Sequence, residues 1–177
     1  MTRYAARMNT RAGCLVVALG LLTGCGSLPD LERTPSSSTL SATGVGPVAF
    51  GVPLAESELL LGEKAAGQDA GAACRYVEFG SLPGLRFTVV DGVVTRADAA
   101  SGVTNALGVN VGDTTDAAVA LYPDLLVQKS RESVGGTNLV YVARGGGHAI
   151  VMQAAGNKII AIRAGLRSAV EGSEGCP

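Results

Sequence analysis

Two kinds of hydrophobic pattern divide the chain. Residues 12–22 form an unbroken apolar run, whereas beyond Pro47 short segments alternate apolar and polar positions. Leu85, Phe87 and Val89, for example, are separated by Arg86 and Thr88, which is typical of a strand with one buried face. Strands are predicted in this way over residues 74–79, 85–90, 93–98, 125–129, 139–144, 148–153 and 159–163.

Two short helices are also predicted, one before the first strand and one between the third and fourth strands. The first begins at Pro53, which suits the first turn of a helix, and stops at Gly62. The second runs through residues 117–122, with Asp113 or Thr114 as its cap and Pro123 at its end. Asp91-Gly92 is the favoured two-residue turn between the second and third strands.

The order of these elements repeats, with a helix followed by an antiparallel meander in each half. We therefore expect an α+β fold of two helix-plus-meander repeats, at about residues 47–100 and 105–170. Both helices are expected to pack on one face of the sheet.

The first 25 residues have the features of an export signal. Arg3, Arg7 and Arg11 precede the apolar run, whose 11 residues are too few for the about 20 that cross a bilayer as a helix. The run ends in Leu22-Thr23-Gly24-Cys25, which resembles the lipobox of bacterial lipoproteins. Met8 is an alternative start, since Arg11 would still supply a positive charge.

The lipobox resemblance implies how the chain is processed and where it resides. In that family the cysteine thiol receives a diacylglyceryl group, the bond before it is cut, and the new amino terminus is acylated. Residues 1–24 would be a signal peptide, and Cys25 would anchor the protein to a membrane of the cell envelope, facing the periplasm or the exterior. Residues 25–46, rich in Ser, Thr, Pro and Gly, are predicted to be a flexible tether to a domain over residues 47–177.

Four cysteines are present, of which Cys14 would leave with the signal and Cys25 would carry the lipid. Export into an oxidising compartment favours a disulfide between the remaining Cys74 and Cys176. A metal site and a catalytic thiol are the alternatives, but two Cys and one His are few metal ligands. No cofactor and no metal are expected.

Charge and composition limit the kinds of binding partner that we expect. The formal charge is −1, with 16% charged residues, so there is no excess of basic residues to displace counterions from nucleic acid. The membrane through Cys25 and an envelope protein are the partners we expect.

The mature domain resembles the small tandem modules of the β-lactamase-inhibitor-protein and SmpA/OmlA lipoprotein type. The residues that carry this resemblance are Gly51-Val52-Pro53-Leu54-Ala55-Glu56, Gly112-Asp113-Thr114 and the hairpin turns. The resemblance implies a non-catalytic module that either braces an envelope complex or inhibits a secreted enzyme.

Candidate chemistry outside the cysteines is sparse. His148, the sole histidine, would need an acid or a nucleophile brought to it by the fold to act as a general base. By alternation, polar side chains are expected on the face of the sheet away from the core, where Arg and Tyr favour protein binding. These candidate partner-face residues are Arg86, Thr88, Arg96, Tyr141 and Arg163.

The sequence thus predicts a lipid-anchored, non-enzymatic, extracytoplasmic protein-interaction module. An inhibitor of a lysozyme, protease or β-lactamase is the first alternative. A hydrolase that uses His148 is the second.

Overall fold

The computed structural model describes residues 38–67, 72–129, 136–172 and Cys176. Its strands are β1 (Gly44–Val45), β2 (Val48–Ala49), β3 (Cys74–Val77), β4 (Leu85–Val90), β5 (Val93–Ala99), β6 (Leu126–Lys129), β7 (Thr137–Val142), β8 (His148–Ala155) and β9 (Lys158–Leu166). Its helices are α1 (Leu54–Leu61), α2 (Thr115–Leu121) and α3 (Arg167–Glu171). The seven predicted strands correspond to β3–β9, with ends shifted by up to three residues.

Strands β3–β9 form one antiparallel sheet in the order β3-β4-β5-β9-β8-β7-β6. Two meanders, β3–β5 and β6–β9, therefore meet where β5 pairs with β9. The hairpin between β4 and β5 turns at Asp91 and Gly92, whose φ angles of 48° and 79° are those of the favoured tight turn. Strands β1 and β2 form a separate small hairpin.

The two faces of the sheet bury different residues. The core face carries Phe87, Leu139, Ile150 and Met152, which belong to the main apolar cluster. The opposite face, called the α3 face here, carries Val140, Ala149 and Val151, which pack against Val170 of α3. Successive side chains of these strands point alternately to the core face and to the α3 face, as the alternating sequence pattern predicts.

The predicted α+β class is wrong, because the described chain is mostly β. Its helices have eight, seven and five residues. Each buries at most two side chains, among them Leu54 in α1 and Ala118 in α2, so the helices do not form a layer. They also occupy both faces, since α1 and α2 contact the core face whereas α3 covers the opposite one.

The folded region begins before the predicted boundary at residue 47. Leu40 is fully buried, and its backbone bonds to Thr104 and Ala106 at 2.9 and 2.8 Å. Val45 in β1 is also in the core. The last part of the predicted tether, residues 38–46, is therefore built into the domain.

Candidate functional site

The predicted partner face is not an exposed face in the structure. Register places Arg86, Thr88, Arg96 and Arg163 on the α3 face, as expected, because Thr88 pairs with Arg96 and Arg86 pairs with Asp98. However, Thr88, Arg96 and Arg163 are buried there, with 4%, 8% and 4% of their surfaces exposed. Arg86 alone of the four is exposed, and it lies over the ring of Tyr76 at 4.7 Å.

Hydrogen bonds explain how two arginines are buried on this face. Arg96 donates from Nε and Nη2 to the Asp98 carboxylate, at 3.1 and 2.5 Å. Arg163 donates from Nε to the carbonyl oxygen of Val170 at 2.8 Å, which ties β9 to α3. A buried guanidinium needs such partners, so these side chains hold the fold together instead of facing a partner.

Tyr141 lies on the other side of the sheet from these arginines. It alternates with Val140 of the α3 face, and it pairs with Ile150 of the core face. Tyr141 therefore does not share a face with these arginines, since a strand directs successive side chains to opposite faces.

His148 stands at the start of β8 and is half-buried. Its carbonyl oxygen accepts a hydrogen bond from the Ala143 amide at 2.9 Å. Within the described part of the chain, no hydrogen bond or ion pair joins its imidazole to an acid or a nucleophile. Among the residues that the structure describes, His148 is therefore not brought to such a group.

Cys74 and Cys176 are joined by a disulfide, with their Cα atoms 5.3 Å apart. The backbone amide of Cys176 also donates to the Tyr76 hydroxyl at 3.0 Å. The bond attaches the end of the chain to β3, an edge strand of the sheet. Cys25 and the other residues of the predicted lipobox lie outside the described residues.

Among the described residues, most of the exposed large apolar side chains lie near the opposite edge of the sheet. Nine large apolar side chains are exposed among the described residues, and five come from α2, β6 and β7. These five are Val119, Leu121, Leu126, Val127 and Tyr141. Leu126 pairs with Val140 of the α3 face and Val127 pairs with Leu139 of the core face, so the exposed apolar surface lies on both sides of this edge. Exposed apolar surface rimmed by polar residues is typical of interaction sites.

A groove of about 570 Å³ opens within this surface. Its walls include Leu121, Tyr122, Leu126, Tyr141, Val142 and Arg167. We call it the tyrosine groove, because the rings of Tyr122 and Tyr141 meet edge to face there with centroids 6.3 Å apart. Tyr141 is 36% exposed and Leu126 is 44% exposed, so both side chains are accessible from outside.

The way helix α2 ends determines where the Tyr122 side chain lies. The Thr114 hydroxyl caps the helix by accepting from the Ala117 amide at 3.2 Å. The helix ends before Pro123, which cannot continue it, and the Tyr122 hydroxyl then donates to the carbonyl oxygen of Leu107 at 2.8 Å. The Tyr122 ring is thereby fixed against the core, whereas Tyr141 stays exposed at its edge.

Charges of both signs stand at the rim of the tyrosine groove. Arg167 pairs through Nε with Glu171 at 2.8 Å, and Asp124 lies on the wall formed by the loop after α2. An apolar floor with a mixed polar rim is the usual composition of a protein-binding site. Sequence reasoning missed this groove, although the run Leu125-Leu126-Val127, two residues after Pro123, leaves an apolar residue outward in any strand register.

Two further properties concern the residues that the structure describes. No group of three or more His, Cys, Asp or Glu side chains is placed to hold a metal ion there. No helix in that part of the chain combines the length and the apolar character needed to span a membrane.

The chain was also compared with known proteins. No protein-family model, no curated protein and no solved structure matches it. The resemblances to lipoproteins and to tandem inhibitor modules therefore remain hypotheses drawn from the motifs themselves.

Proposed function

We propose that this protein is a lipid-anchored, extracytoplasmic protein-interaction module without enzymatic activity, which binds an envelope partner through the tyrosine groove. The observation that carries the proposal is the exposed pair Tyr141 and Leu126 around an apolar groove with a charged rim. Tyrosine supplies a large contact area at a low cost in conformational entropy, and it is enriched where binding energy concentrates.

The anchoring part of the proposal is supported by the sequence and by the disulfide. The basic residues, the short apolar run and Leu22-Thr23-Gly24-Cys25 occur in the order that lipoprotein signals have. A disulfide between Cys74 and Cys176 persists in oxidising compartments, which agrees with export.

Site-directed photo-cross-linking in cells of the source organism tests the binding surface. A photoreactive phenylalanine analogue replaces Tyr141 in the full chain, and the same analogue at Glu56 serves as the matched control. Glu56 is an exposed position on α1, a helix that adjoins the β4–β5 turn, and it does not line the tyrosine groove. We expect one defined protein adduct from position 141 that is absent from position 56.

The identity of the cross-linked protein also distinguishes an envelope protein from a secreted hydrolase as the partner. No adduct at position 141, or the same adducts from both positions, would contradict binding at the groove. If the adduct contains a secreted hydrolase, titration of that enzyme with the full chain then shows whether binding inhibits it.

A further inference from the structure

The charges that line the tyrosine groove do not cancel. Among the described residues, Asp124 and Arg167 are the charged ones on its walls. Arg167 is already paired, since its Nε donates to the Glu171 carboxylate at 2.8 Å. Asp124 is exposed, and within the described part of the chain its carboxylate has neither a hydrogen bond nor an ion pair. The groove therefore offers one uncompensated negative charge, which favours a cationic group of the partner.

The groove also presents an aromatic ring that a cation can contact. The Tyr122 ring is fixed by the hydrogen bond from its hydroxyl to the Leu107 carbonyl oxygen, and it meets the Tyr141 ring edge to face. Tyr141 is 36% exposed, and its hydroxyl has no hydrogen-bond partner among the described residues. The face of a tyrosine ring attracts a cation that lies within about 6 Å of its centroid.

We infer that the groove recognises an arginine side chain of the partner, whose guanidinium pairs with Asp124 and stacks on Tyr141. This inference rests on the proposed function, because it names the group that the partner presents at the same site. Arginine fits better than lysine, since its planar guanidinium can make two parallel hydrogen bonds to a carboxylate and can also stack on a ring.

Both kinds of contact already occur at other positions of this chain. The Arg86 guanidinium lies over the Tyr76 ring, 4.7 Å from its centroid. Arg96 donates from Nε and Nη2 to the Asp98 carboxylate, at 3.1 and 2.5 Å. In the groove the tyrosine and the carboxylate are both exposed, so an arginine from another molecule can reach them.

The size of the groove limits the partner's contribution to a short segment. Its volume of about 570 Å³ lies within the range of about 300–1,000 Å³ that suits a drug-sized ligand. Leu121 and Leu126 on its walls are 65% and 44% exposed, so they leave apolar surface for the neighbours of the arginine. We therefore expect the recognised segment to be an arginine between apolar residues.

Nuclear magnetic resonance titration of the full chain, purified in mild detergent, tests this specificity. The probes are three acetylated and amidated tripeptides with leucine at both ends and arginine, citrulline or glutamate in the centre. Citrulline is the matched control, because it keeps the length and planarity of arginine but has no charge. We expect the arginine peptide to bind about fivefold more tightly than the citrulline peptide, and the glutamate peptide to bind least.

Variants of the chain assign this preference to the two groups. Asp124→Asn should weaken binding of the arginine peptide about fivefold and leave the citrulline peptide unchanged, with an unaltered melting temperature because the carboxylate is exposed and unpaired. Glu56→Gln, which removes an exposed charge outside the groove, should leave both affinities unchanged. Tyr141→Phe should keep the preference, whereas Tyr141→Leu should reduce it about threefold.

Equal binding of the arginine and citrulline peptides would overturn the inference, as would tighter binding of the glutamate peptide. No binding of the arginine peptide at about 10 mM, or a preference that Asp124→Asn leaves intact, would overturn it as well. The photo-cross-linking at position 141 tests the proposed function separately. A defined adduct there without an arginine preference would overturn this inference alone, whereas an arginine preference without an adduct would contradict the envelope partner and keep the specificity of the groove.

Discussion

Breaking the disulfide should reveal how much of the domain's stability depends on an oxidising environment. The bond between Cys74 and Cys176 closes a loop with a sequence separation of 102 residues, which includes strands β3 to β9. Chain-entropy reasoning gives about 4.7 kcal/mol for a loop of that size, and measured values for native disulfides are typically about 2–4 kcal/mol. We therefore expect the double variant Cys74→Ser/Cys176→Ser to lose about 4 kcal/mol.

Urea unfolding followed by far-ultraviolet circular dichroism measures this loss. With a denaturant dependence of about 2 kcal/mol per molar for a domain of this size, the unfolding midpoint should fall by roughly 2 M. Dithiothreitol should lower the midpoint of the natural chain by the same amount and leave the double variant unchanged. The variant Tyr76→Phe removes only the hydrogen bond to the Cys176 amide and should cost about 1 kcal/mol.

A midpoint shift below about 0.5 M in the double variant would refute the reasoning, because it corresponds to about 1 kcal/mol. A further effect of dithiothreitol on the double variant would show that reduction acts somewhere other than this bond.

Two further predictions concern the backbone and acid stability. Gly165→Ala should destabilise the domain by about 3 kcal/mol, because a Cβ there would lie 2.8 Å from the Arg96 Cα where the two meanders join. Gly147→Ala is the matched control, since a Cβ at residue 147 meets no atom within 4 Å. Equal melting temperatures for the two variants would contradict this prediction. Hydrogen bonds from the Ser81 hydroxyl and the Gly80 amide lower the pKa of Glu63 from its ordinary value of 4.5. The stability that Glu63 contributes is therefore present above pH 4.5 and is lost as the pH falls through its folded pKa, so Glu63→Gln should destabilise the protein at pH 7 and progressively less below pH 4.5. Denaturation curves from pH 3 to 7 measure this, and a constant difference over that range would count against it.

Strand positions were predictable from the sequence where alternation was clear. Leu85–Val90 was predicted to the residue, and the Asp91-Gly92 turn has the expected left-handed geometry. Here the local pattern and the tertiary packing make the same demand, because one face of the hairpin lies on the core.

The sequence pattern did not predict the β1–β2 hairpin or helix α3, which depend on contacts with residues distant in the sequence. The hairpin of β1 and β2 has strands of two residues each in a segment with a linker's composition, and burial of Leu40 against the loop at Asn105 stabilises it. Helix α3 has only five residues and is held by packing of Val170 on the α3 face. Neither segment is long enough to show a periodic pattern.

The candidate site, too, was predictable from the sequence only in part. Alternation placed Arg96 and Arg163 on the correct face, but it could not show that Asp98 and the Val170 carbonyl would pair with them and that they would be buried. The tyrosine groove requires Tyr122 and Tyr141 to come together from α2 and β7, and no local pattern encodes that distance.

Anchoring through Cys25 underlies the proposed location of this protein, and the intact mass of the protein extracted from membranes decides whether it occurs. Cys25→Ser is compared with Cys14→Ser, the other cysteine of the amino-terminal segment. We expect the natural chain and Cys14→Ser to partition with membranes and to have the mass of residues 25–177 plus diacylglyceryl and acyl groups. Cys25→Ser should lose both the added mass and the membrane partitioning. An unmodified mass for the natural chain, or membrane partitioning that Cys25→Ser leaves unchanged, would contradict the claim.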